Sequence, residues 1–113
     1  MTATPGTPIR IANCSGFFGD RPRGALEMVE GGPIDVLTGD WLAELTMLIL
    51  SRIRAKHPRG GYARTFVSQM EQVMGTCLDR GIKVVSNAGG LDPDGCADAV
   101  AEVADRLGLS PTI

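Results

Sequence analysis

The stretch 82–93, Ile-Lys-Val-Val-Ser-Asn-Ala-Gly-Gly-Leu-Asp-Pro, holds the plan of the whole chain in miniature. Its apolar run Ile82-Lys83-Val84-Val85 stops at the turn-forming Ser86-Asn87-Ala88-Gly89-Gly90. Asp92 and Pro93 then open a helix, because aspartate accepts from orphan N–H groups and proline fits the first helical position. Cys96, Ala97, Val100, Val103, Ala104 and Leu107 recur at helical spacing as far as Gly108. A strand without polar alternation is covered on both faces, which points to parallel pairing.

The same unit recurs upstream. Ile9 to Ala12 reads as a first strand ending at Asn13-Cys14-Ser15-Gly16, and Asp20 reads as the cap of a helix from about 21 to 30, closed by Gly31-Gly32. Ala25, Leu26 and Val29 are its expected inner face. Ile34 to Leu37 reads as a second strand, stopping at Thr38-Gly39-Asp40. From Trp41 the pattern becomes helical, with Leu42, Leu45, Ile49 and Ile53 on one face and Met47, Leu48 and Leu50 widening it, until His57-Pro58-Arg59-Gly60-Gly61. Ala63, Phe66, Val67, Met70, Val73, Met74, Cys77 and Leu78 mark a further amphipathic helix that ends at Gly81.

The order β-α-β-α-α-β-α specifies an α/β fold: a doubly wound or Rossmann-like layer with a parallel sheet and right-handed crossovers. Residues 1–8 are expected to be a flexible tail, and 9–113 the N-terminal portion of an α/β domain. Leu109 to Ile113 looks like the approach to a fourth strand. Three parallel strands leave hydrogen-bonding edges free. The sheet is therefore expected to be incomplete, needing further strands or another subunit.

Composition narrows the function classes. The chain has 113 residues, 43% apolar and 21% charged, with a formal net charge of −2; this fits one globular domain. The basic residues Arg52, Arg54, Lys56, His57 and Arg59 fall at a helix end, where cations complement the macrodipole, and form no stripe suited to nucleic acid. MTATPGTP has neither a basic start nor an apolar core, and the longest apolar run, Leu45 to Leu50, is too short to cross a bilayer. A soluble, cytoplasmic protein is expected. Three cysteines without a CxxC give no zinc motif or disulfide framework.

Parallel strands deliver their loops to one edge, and ligands bind there. The loops 13–20, 38–44 and 86–95 combine polar side chains with permissive backbone. Asn13-Cys14-Ser15-Gly16-Phe17 and Asn87-Ala88-Gly89-Gly90-Leu91 share a pattern of Asn, small, small, Gly, apolar. Two readings of it stand together: the geometry of a strand end favours Asn and Gly, or both asparagines and the amides behind them line a carbonyl or anion site. Asn13, Ser15, Gly16, Gly39, Gly89 and Gly90 are the expected ligand-binding positions. Asp40, Asn87 and Cys14 are the expected catalytic ones.

Asp40 and Glu44, four apart at a helix start, suit paired acid–base or metal chemistry, and equally a simple complement to the dipole. Cys14 at a strand tip is a possible nucleophile, yet the sole histidine, His57, lies in an interhelical loop expected at the opposite edge or the surface. Cys77 and Cys96 fall on core faces. Ser15-Gly16-Phe17-Phe18-Gly19 lacks the first glycine of a dinucleotide fingerprint, and no phosphate loop is present. No cofactor or metal is specified by these residues.

The segments IRIANCSGFFGDRP, GGPIDVLTGDWLAELTMLIL, GYARTFVSQM and GIKVVSNAGGLDPDGCADAV, in this order, resemble the start of the acyclic terpene utilisation family AtuA. The resemblance runs from Ile9 to Leu107 and rests on Asn-Cys-Ser-Gly-Phe, Leu-Thr-Gly-Asp and Ser-Asn-Ala-Gly-Gly together. It implies a part in the catabolism of acyclic terpenes such as citronellol and geraniol, by way of branched acyl-CoA thioesters. Family members continue into further strands. The expected ligand is a small molecule, an acyl-CoA thioester or a terpenoid carboxylic derivative. A non-catalytic binding or assembly module of the same pathway is the alternative to an enzyme.

Overall fold

A computed structural model describes residues 6–113. Most of the expected tail at 1–8 lies outside the described residues. The elements are β1 (Ile11–Asn13), α1 (Gly24–Glu30), β2 (Val36–Gly39), α2 (Glu44–Lys56), α3 (Arg64–Arg80), β3 (Lys83–Ser86) and α4 (Pro93–Leu107), the β-α-β-α-α-β-α order expected. The three strands form one open parallel sheet in the order β1-β2-β3.

Register explains why each strand starts slightly later than its apolar run. Ile11 pairs with Val36 and Val36 with Lys83, so pairing begins above Arg10 and Asp35. Those two are bound to each other instead: the Arg10 N–H donates to Asp35 Oδ2 at 2.8 Å, and the guanidinium lies alongside.

Period-two alternation then divides the sheet. Leu37 faces the core and Val84 packs against it, while Ile11 and Val85 on the other face are 64% and 61% exposed. Helices α1, α3 and α4 lie side by side, with α3 in the middle. The core fills the space between them and the sheet: Ala25, Val29, Leu37, Val73, Cys77 and Val103 are all buried in one cluster. No strand pairing involves residues 109–113; Leu109 packs on the core.

The helix ends follow local chemistry in part. The Gly95 N–H donates to Asp92 Oδ1 at 2.9 Å, so Asp92 caps α4 as expected. Gly81 and Gly108 end α3 and α4 in left-handed backbone, φ 66° and 69°, where a Cβ is strained. Asp20 does not cap α1, which begins only at Gly24 and has no capping side chain of its own. Its ends are held from α3. Gln69, fully buried, accepts from the Ala25 N–H at 2.9 Å through Oε1 and donates through Nε2 to the Arg21 carbonyl at 3.1 Å. Arg80 Nη1 donates to the Val29 carbonyl at 2.9 Å.

The helix expected from Trp41 begins instead at Glu44, after an extended Ala43. Trp41 itself is completely buried, edge-on to Phe66 with ring centroids 5.7 Å apart. On α2 only Thr46 and Leu50 are buried, and Leu45 and Leu48 face solvent although the periodicity placed them inward. Leu78 of α3 is likewise exposed. No helix is long and apolar enough to cross a membrane among the described residues.

Candidate functional site

The three loops after the strands meet at the C-terminal edge of the sheet and are joined by hydrogen bonds in sequence. The Asp40 N–H donates to the Ser15 carbonyl at 3.0 Å, linking the second loop to the first. Asn87 links the third to the second: its Nδ2 donates to Asp40 Oδ1 at 2.8 Å, and its Oδ1 accepts from the Trp41 N–H at 2.9 Å. The Leu42 N–H also reaches Asp40 Oδ1, at 3.3 Å. Oδ1 of this exposed carboxylate is thereby fixed, and Oδ2 accepts no hydrogen bond among the described residues.

Asp40 is not stacked beneath Glu44. The extended 40–43 segment places Asp40 ahead of the helix, so the expected pair of carboxylates one turn apart is not formed.

The first loop is organised from within. Asn13 Nδ2 donates to the Ser15 carbonyl at 3.0 Å. Ser15 is buried, and its hydroxyl lies 2.8 Å from Asp20 Oδ1 and 2.9 Å from the Phe17 carbonyl. Asp20 accepts further bonds from the N–H groups of Gly16, at 2.7 Å, and Arg21, at 3.0 Å. Partial burial opposes its charge, but the bonds from Gly16, Ser15 and Arg21 outweigh that and hold the carboxyl below the usual range. Asn13 and Asn87 thus serve different partners: one folds its own loop, and the other bridges two strands.

A pocket of about 350 Å³ opens between this loop and α1, lined by Asn13, Cys14, Ser15 and Gly16 with Gly24 and Met28 opposite. Its size is that of a small ligand site. Burial pushes the Cys14 thiol up, a hydrogen bond from the backbone opposes this, and the Asp20 charge adds to the rise. Cys77 and Cys96 are buried as expected, Cys96 with its thiol pushed up to about 11.

The glycines at the rim have packing reasons for their identity. A Cβ on Gly39 would lie 2.6 Å from Trp41 Nε1, one on Gly89 would lie 2.8 Å from Pro93 Cα, and one on Gly90 would lie 2.8 Å from both the Gly61 carbonyl and Leu50 Cδ1. Gly24, which sequence reading passed over, admits the carbonyl of Cys14 within 2.5 Å of where its Cβ would stand. This close approach seats the start of α1 on the end of β1.

The loop carrying His57 is not at the opposite edge. The Ala63 N–H donates to the Ala88 carbonyl and the Leu91 N–H to the Gly61 carbonyl, both at 2.8 Å, so residues 57–63 sit at the same edge as the candidate site. Helix α2 therefore lies along the rim, and α3 alone makes the return crossing. His57 itself is exposed.

An open three-stranded parallel sheet with four helices and a polar, cross-linked rim defines an α/β protein. Across residues 9–113 the sequence matches the model of the family described as acyclic terpene utilisation family protein AtuA, and the chain belongs to that family. No curated protein and no solved structure matches the chain.

Proposed function

We propose that the chain binds a branched acyl-CoA thioester or terpenoid carboxylic derivative at the C-terminal edge of its sheet, within the breakdown of acyclic terpenes. One observation carries the reading: Asn87 Nδ2 and the Leu42 N–H hold Asp40 Oδ1 and leave Oδ2 open at the rim. A carboxylate held in this way is ready to accept a proton or a hydrogen bond without the cost of ordering its side chain. Asn87 is a positioning residue acting through Asp40. The pocket beside Asn13, Ser15 and Gly16, whose lining also includes Asp20, Arg21 and Glu27, offers room for a small polar group such as a carbonyl. Cys14 lines the same pocket. Membership of the terpene utilisation family supports the substrate class.

Titration of geranyl-CoA into the full chain by calorimetry tests this. Saturable binding that weakens in Asp40→Asn and Asn87→Ala, with folding intact by circular dichroism, is the expected result. Binding indifferent to both substitutions, or no binding at all, removes the proposal. A second reading, an assembly module, is favoured by the exposed Ile11 and Val85 on the outer sheet face. A mass and melting temperature that rise with protein concentration, without any response to geranyl-CoA, would establish it instead.

A further inference from the structure

Two fully buried residues, Trp41 and Ala63, bracket a segment whose own buried side chains, Thr46 and Leu50, lie outside the contiguous hydrophobic core. Both belong to the contiguous core, whereas no residue of 42–62 does, either as a buried member or as a partly buried neighbour packed against it. The two ends stand on common ground: Trp41 meets Phe66 edge-on at 5.7 Å, and the Ala63 N–H is bonded to the Ala88 carbonyl. Between them α2 runs along the C-terminal edge, in contact with neither the α1–α3–α4 layer nor the strands as a packed partner.

Few contacts hold this segment down. Leu50, completely buried, is inserted beside Gly90, where a Cβ would come within 2.8 Å of its Cδ1. The Gly61 carbonyl accepts from the Leu91 N–H at 2.8 Å, and Arg59 pairs with Asp98 at the surface and with the largely buried carboxylate of Asp92. Of the two ion pairs, the exposed one with Asp98 adds little. Elements with few buried apolar contacts open locally without global unfolding.

We infer that residues 42–62 form a lid over the polar rim, latched by Leu50 and able to open as one unit about Trp41 and Ala63. The fixed points are rigid because they are core residues, and the moving part is stiff because it is mostly helix. Opening would separate Leu50 from Gly90 and uncover the third strand's loop while the sheet and the α1–α3–α4 layer stay folded. The inference concerns the protein without ligand and does not depend on the substrate proposed above.

Hydrogen exchange of the full chain, followed by mass spectrometry without any ligand, tests it. Peptides of 44–56 should exchange at least about tenfold faster than those of 66–78, and Leu50→Ala should accelerate the first group further while leaving the second unchanged. Equal protection of α2 and α3 in the unmodified protein overturns the lid, whether or not the variant folds. Acceleration of both helices together in Leu50→Ala also overturns it, since Leu50 would then belong to the global cooperative unit.

Discussion

Asn87 spans the gap between two strand ends by giving its amide N–H to Asp40 Oδ1 at 2.8 Å and taking the Trp41 N–H at 2.9 Å on its carbonyl oxygen. Donor and acceptor are both needed, and among side chains of this length only an amide supplies them. Replacing Asn87 with alanine strands the Trp41 N–H beside a buried ring and should cost about 1–3 kcal/mol in urea denaturation. Asn87→Asp adds a second negative charge next to Asp40. Its deficit should be largest at neutral pH and shrink as pH falls through the carboxylate range, because protonation of either partner relieves the repulsion.

Acid sensitivity should originate in two carboxylates. Asp20 is held below its usual range although partial burial opposes its charge, because the Gly16, Ser15 and Arg21 hydrogen bonds prevail; Asp35 is held there by the backbone N–H and side chain of Arg10. A carboxyl depressed in the folded state stabilises above its unfolded pKa, and that contribution is lost as pH falls through the folded value. The denaturation midpoint should therefore fall below about pH 4. In Asp20→Asn and Asp35→Asn the decline should be shallower, even though both variants begin from lower stability at pH 7.

Two glycine-to-alanine changes should move stability in opposite directions. At Gly39 the new methyl would stand 2.6 Å from the buried Trp41 Nε1, and overpacking of this kind should cost about 1–3 kcal/mol. Gly75 lies inside α3, where the nearest atom to a Cβ is Leu109 Cδ1 at an ordinary 3.9 Å. There alanine should gain about 0.5–1 kcal/mol by reducing the freedom of the unfolded chain. Thermal melts of the two variants beside the parent decide the matter; a destabilised Gly75→Ala would contradict the packing described for α3.

Gln69 should behave as the cap of a helix to which it does not belong. Gln69→Leu keeps the volume roughly but abandons the Ala25 N–H and the Arg21 carbonyl, and should cost about 1–3 kcal/mol with amide exchange rising first at 24–30. Unchanged exchange in α1 would mean that another group satisfies its N-terminus.

These contrasts show which parts of the architecture lie in the local sequence. Asp92-Pro93, Gly81 and Gly108 act on neighbours within one turn, and their effects are readable without any knowledge of the fold. The Asp20 carboxylate carries the same local signature as Asp92, yet it is consumed by Ser15 and Gly16 and leaves α1 to be capped from 44 residues away. Periodicity overestimated the buried face of α2 for a related reason. A helix assumed to make the return crossing must pack on the sheet, whereas this one stays at the rim and the next helix crosses. At the site, the residue types were legible, but their partners were not. Asn13 and Asn87 are alike in sequence context, yet Asn13 bonds the carbonyl two residues on while Asn87 reaches across to Asp40 and Trp41, a difference that no local pattern encodes.

Strand order has a consequence for the rim that side-chain chemistry alone does not reveal. Open α/β sheets generally form their ligand crevice at a topological switch point, where the order reverses and adjacent loops diverge. Among the described strands the order never reverses, so successive loops stay adjacent and can be stitched together, Ser15 to Asp40 and Asp40 to Asn87. The same loops mounted on the order 2-1-3 would have β1 standing between Asp40 and Asn87. Strands are spaced by about 4.8 Å, and that displacement would break the contact on which the rim's geometry rests.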